Sequence, residues 1–116
     1  YAEAAVAVLT AETPEPGAVY ELAGDESYSM AEFTAEIASA AGKPVAYVDM
    51  GEAEFAGALE GAGLPGPIAA MLADSDASAA KGALQDDSRT LQRLIGRPTT
   101  PWADTVRAAV KDLTSA

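Results

Sequence analysis

Several groupings in the sequence have residue types that could do chemistry. Asp74-Ser-Asp76 and Asp86-Asp87 bring carboxylates together as a divalent-cation site would. Neither matches the calcium-loop pattern, and Mg²⁺ normally draws on substrate phosphates as co-ligands, so helix caps and solvated carboxylates account for them better. Tyr1, Tyr20, Tyr28 and Tyr47 could donate protons, yet none is followed four residues later by Lys, so the Tyr-x-x-x-Lys catalytic pair is absent. Gly61-x-Gly63-x-x-Gly66 spells a dinucleotide-binding fingerprint. Its context rejects that reading, because the glycines follow a helical pattern rather than a strand, and Pro65 and Pro67 punctuate two helices. Ser29-x-x-Glu32 has no base beside it to activate a serine and reads as a helix cap. The chain contains no Cys and no His, which excludes disulfides, a thiol nucleophile, an imidazole base and the usual transition-metal ligand sets. No catalytic, cofactor-binding or metal-binding residue is therefore assigned from the residues alone.

The elements that must position anything left are mostly helical. Tyr1 to Thr10 places Ala2, Ala5, Val6 and Leu9 on one stripe, and the helix opens with neither an N-cap nor an initiator Met, so the chain reads as a piece of a longer polypeptide. A Pro/Gly loop over 12–17 leads to Ala18-Val-Tyr-Glu-Leu-Ala23, which predicts a strand ended by Gly24-Asp25. At Tyr28-Ser-Met-Ala-Glu-Phe33, Ser29 and Glu32 form a capping box while Tyr28 and Phe33 take the staple positions. That helix buries Phe33, Ile37 and Ala40 or Ala41 and stops at Gly42-Lys43-Pro44. Val45 to Val48 predicts a second strand, parallel to the first across the intervening helix.

Beyond it, Gly51 opens a helix with Phe55, Ala58, Leu59 and Ala62 inward, and Gly66-Pro67 opens another with Ile68, Met71 and Leu72 as its buried stripe, running to about Lys81-Gly82. Asp87 should cap a helix over 88–95 that buries Leu91, Leu94 and Ile95, with Gly96 at its end. Thr100 should cap the last, with Pro101 as its first helical residue and Trp102, Val106, Ala109, Val110 and Leu113 inward.

Charge and composition narrow the class. The 116 residues carry 18 acids and 7 bases, a net charge of −11 that argues against nucleic-acid and anionic-membrane partners. No apolar run approaches the roughly 20 residues of a membrane span, and the chain reads as soluble and cytoplasmic. Residues 1–58 hold 11 acids against one base, whereas six of the seven bases fall after residue 80. Arg89, Arg93 and Arg97 recur every four residues and read as a solvated face paired with Asp86, Asp87 and Asp104. Leu, Ile, Val and Phe total only 21 residues while Ala supplies 28, so any core is thin.

The ordered series Val19-Tyr-Glu-Leu-Ala-Gly-Asp25, Tyr28-Ser-Met-Ala-Glu32, Ala41-Gly-Lys-Pro-Val45, Gly63-Leu-Pro65, Ala73-Asp-Ser-Asp76, Lys81-Gly82, Asp86-Asp-Ser88 and Leu94-Ile-Gly-Arg-Pro-Thr-Thr100 resembles the C-terminal part of NmrA-like NAD(P)H:quinone oxidoreductases. These are atypical short-chain dehydrogenase/reductases. The resemblance implies an α/β protein in which all 116 residues form one helix-rich substrate lobe, with two short parallel strands and about six helices, the Rossmann half lying outside this chain. It implies NADP as cofactor of the whole protein and none for this chain alone, a quinone-like substrate, and the missing Rossmann half as partner. Ser75, Ser78 and Gly82, in the segment Met71 to Leu84, are the substrate-side residues it points to. Exposed surface left by the missing half predicts a homo-oligomer. An NADP-sensing regulator without turnover and an autonomous interaction module are the alternatives.

Overall fold

The computed structural model describes all residues except Pro14, Ser115 and Ala116. Among the described residues there are six α-helices: α1 (Ala2–Leu9), α2 (Met30–Ala41), α3 (Glu52–Gly61), α4 (Gly66–Ala80), α5 (Thr90–Ile95) and α6 (Trp102–Thr114). They divide into two compact units, Tyr1–Tyr47 with Asp86–Ala116, and Val48–Gln85.

The expected helices are present, but the two expected strands are not. Val19 to Ala23 and Val45 to Val48 are irregular, and no strand occurs among the described residues. β-Forming side chains favour a strand only where a neighbouring backbone completes the ladder, and neither run has one here.

In the first unit α1 packs on α5, and α2 on α6. The capping box of α2 forms as its spacing predicts. Glu32 N–H donates to Ser29 Oγ at 3.2 Å, and Ser29 N–H donates to Glu32 Oε2 at 2.7 Å. Gly42 ends the helix in the left-handed region at φ 65°, where glycine has no Cβ to clash. Tyr28 and Phe33 stack at 5.7 Å between centroids, and Trp102 of α6 joins them at 4.6 and 6.2 Å. Glu36 Oε1 accepts from Arg107 at 2.6 Å, a second tie between α2 and α6. Val106 is the buried residue of α6, with Trp102 and Val110 half-buried, while Ala109 and Leu113 face solvent against expectation.

Two further expectations are corrected. Helix α1 buries Ala4, not the stripe of Ala2, Ala5, Val6 and Leu9, all of which are exposed. Both faces carry alanines at helical spacing, so periodicity offers little contrast between them. Helix α5 starts at Thr90 rather than Ser88, because Asp86 takes the Ser88 N–H (3.1 Å) and hydroxyl (2.6 Å) into a turn and Arg89 enters the left-handed region at φ 56°. Its arginines do not pair with Asp86 and Asp87. Arg97 bonds Glu3 of α1 at 2.7 Å, Arg93 donates to the Ser88 carbonyl and to Thr90 Oγ1, and Asp104 pairs with Arg107 at 3.0 Å.

Asp25 and Thr99, 74 positions apart, exchange two bonds. Asp25 N–H donates to Thr99 Oγ1 and Thr99 N–H to Asp25 Oδ2, each at 2.8 Å.

The cap supports a direct prediction. Ser29→Ala should lower stability by about 1 kcal/mol, since it leaves an N-terminal N–H without its acceptor; an unmoved urea midpoint would contradict this. The bonds from Ser29 hold the Glu32 carboxyl below the ordinary 4.5, and the bond from Arg97 does the same for Glu3. A depressed carboxylate stabilises the fold fully above its unfolded value and loses that contribution as pH falls through the folded one. The thermal midpoint should therefore decline below pH 4.5, and less so in Glu32→Gln.

Candidate functional site

The candidate residues lie in Val48–Gln85, a hairpin of α3 and α4. Gly51 precedes α3, whose first-turn Glu52 and Glu54 complement the helix dipole. Phe55 and Leu59 are half-buried, whereas Ala58 and Ala62, expected inward, are exposed. Gly63 at φ 97° makes the turn, and α4 begins with Pro67 in its first turn, where a missing N–H costs nothing.

The packing of α4 reverses the expected stripe. Ala69 and Ala73 are 0% and 1% exposed, while Ile68, Met71 and Leu72 stand 44%, 56% and 38% exposed. Ala69 and Ala73, one turn apart, form the buried side of α4, and the larger side chains are left on the outer face. At about 100° per residue, Ile68, Met71, Leu72 and Ser75 fall within a roughly 100° arc, and Ser78 lies at its edge.

Ser75 is exposed and its hydroxyl donates to the Met71 carbonyl at 2.8 Å, which leaves its oxygen free to accept. Ser78 is half-buried, and its carbonyl receives the N–H groups of Lys81 and Ala83, both at 3.1 Å. Gly82 follows the helix end at φ 90°, a conformation L side chains rarely adopt; a Cβ there would meet only Gln85 Oε1, at 3.9 Å. Within its unit, Gly82 thus answers a backbone requirement. Ser75 and Ser78 share the outer face of α4, while Gly82 belongs to the turn after it.

The sequence did not reveal an apolar cavity of about 470 Å³ in the first unit, lined by Ala4, Val8, Leu9, Tyr20, Leu22 and Leu94 among others. Its walls come from three separate segments, so no local pattern announces it. Among the described residues, no group of three or more carboxylates is placed to hold a metal, and no helix is long and apolar enough to cross a membrane.

No protein-family model matches the chain. Curated proteins to which it is similar include a quinone oxidoreductase and a reductase. It is 50% identical over 106 residues to quinone oxidoreductase 2 of Escherichia coli, a match covering 91% of this chain and 37% of that protein. It is 33% identical over 103 residues to the (4-alkanoyl-5-oxo-2,5-dihydrofuran-3-yl)methyl phosphate reductase of Streptomyces griseus, covering 89% of this chain and 36% of that one. Two crystal structures of the NADPH-dependent quinone oxidoreductase of E. coli, the second of them in complex with NADPH, match at TM-scores of 0.87 and 0.88 and 49% identity. They cover 94% of this chain, which spans 39% and 38% of theirs. The likeness to quinone oxidoreductases read from the motif series therefore extends over nearly all of this chain, which spans well under half the length of those relatives.

Proposed function

We propose that this chain is the substrate-side lobe of an NADPH-dependent quinone reductase, a cytoplasmic enzyme whose nucleotide-binding half lies outside the 116 residues. The supporting observation is the 49% identity and TM-score of 0.88, across 94% of the chain, to a quinone oxidoreductase solved with NADPH. In the whole protein NADPH would supply a hydride, and a proton from solvent would complete the hydroquinone. The part left to this chain is binding and orientation. The outer face of α4 offers an apolar wall of Ile68, Met71 and Leu72 to a flat ring. Ser75 and Ser78 stand beside that wall as hydroxyls for the ring's polar substituents, and Gly82 shapes the turn that follows. Val19 to Ala23 and Val45 to Val48 become parallel strands only where the other half provides neighbours. Exposed Val6, Leu9 and Val19 on the first unit would otherwise recruit a second copy, giving a homo-oligomer by light scattering.

The experiment is quinone-dependent oxidation of NADPH, followed by nicotinamide absorbance. The full-length protein should turn over, whereas the isolated chain should neither turn over nor bind NADPH by calorimetry. Tight NADPH binding with no turnover of any quinone would instead mark the whole protein as a nucleotide sensor.

A further inference from the structure

The curated relatives described above differ in the charge of what their names specify: a quinone for the first, a phosphate ester for the second. We infer that the α4 face of this chain selects uncharged, flat acceptors and discriminates against anionic ones. This rests on the reading of α4 as the substrate side.

The outer row of α4 is flanked by carboxylates on both edges. About 60° round the axis from Met71 stands Asp74, and about 40° beyond Leu72 stands Asp76. Both are exposed. The rest of the unit reinforces their sign, because Val48–Gln85 contains six carboxylates and one base, Lys81, at the end of α4. Neither helix N-terminus in the unit offers an anion site. That of α3 already carries Glu52 and Glu54, and that of α4 carries Pro67, which has no N–H to donate. A phosphate or sulfonate approaching the Met71–Leu72 wall would meet negative potential on either side, with Lys81 at the far end of the helix as the unit's one base. A neutral ring loses nothing there and gains the apolar contact. Met71, unbranched and exposed, can adjust to rings of different outline.

The test uses the full-length reductase with a naphthoquinone and its monosulfonate, a pair differing by one charge. At low ionic strength, Asp74→Lys with Asp76→Lys should raise the ratio of kcat/KM for the sulfonate to that for the neutral quinone about tenfold. The gain should shrink at high salt. A redox-inert naphthalenesulfonate should bind the double variant about tenfold more tightly by calorimetry. Should the lysine variant fail to fold, Asp74→Asn with Asp76→Asn should shift the ratio about threefold in the same direction. A ratio unmoved by either pair, while Met71→Ala raises KM for the neutral quinone, would overturn charge selection and leave the substrate-side reading standing. If Met71→Ala and the charge variants all leave both KM values unchanged, the substrate-side reading fails and takes this inference with it.

Discussion

Trp102→Ala is expected to destabilise the first unit by about 3 kcal/mol, read as a lower urea midpoint in helical circular dichroism. Trp102 is the one tryptophan in the chain and the shared member of the Tyr28, Phe33 and Trp102 cluster, at 4.6 and 6.2 Å from the other two rings. Truncating a buried indole costs about 3–5 kcal/mol through lost transfer energy and the cavity left behind. Partial exposure of Trp102 sets the expectation at the low end. Each aromatic contact adds about 0.5–1.5 kcal/mol beyond area. The unit has little else to compensate, since its buried residues are Ala4, Leu91 and Val106. Trp102→Phe should recover roughly half of the loss, because a smaller ring keeps contact with Tyr28. A loss under 1 kcal/mol for the alanine variant would show that α2 and α6 are held by something other than the rings.

The α3–α4 hairpin should respond to the opposite change. Ala69→Leu adds three carbons at a position 0% exposed, on the helix that packs against α3. Overpacking of this kind costs about 1–3 kcal/mol, and a position with no exposed surface leaves the added carbons no route to solvent. The expected cost is about 3 kcal/mol, seen as faster amide exchange along α4. Ala70→Leu, one residue along and exposed, is the control and should change exchange little. Equal effects at the two positions would mean that the alanine face does not set the packing. Unequal effects would also support the outward placement of Ile68, Met71 and Leu72, on which the substrate-side reading depends.

What the residues alone determined is local. Ser29 with Glu32, Gly42 and Gly96 each satisfy or free a backbone hydrogen bond within a few positions of themselves, and the helix ends they announce are where the structure has them. The positions of Ser75 and Ser78 along α4 were legible for the same reason. Through-space packing decided the rest. With 28 alanines spread over every face, hydrophobic periodicity could not tell which side of α1 or α4 would be buried. In α4 the fold buried Ala69 and Ala73 and left the larger side chains outward. The Asp86 turn that delays α5 competes with a helix cap of almost equal local merit, and only the surrounding fold settles such a contest. The bonds of Asp25 to Thr99 and of Glu3 to Arg97 join residues 74 and 94 positions apart, a distance over which sequence pattern carries no signal. The two β-forming runs make the same point, since a strand is a property of two backbones, and neither run is paired with another among the described residues.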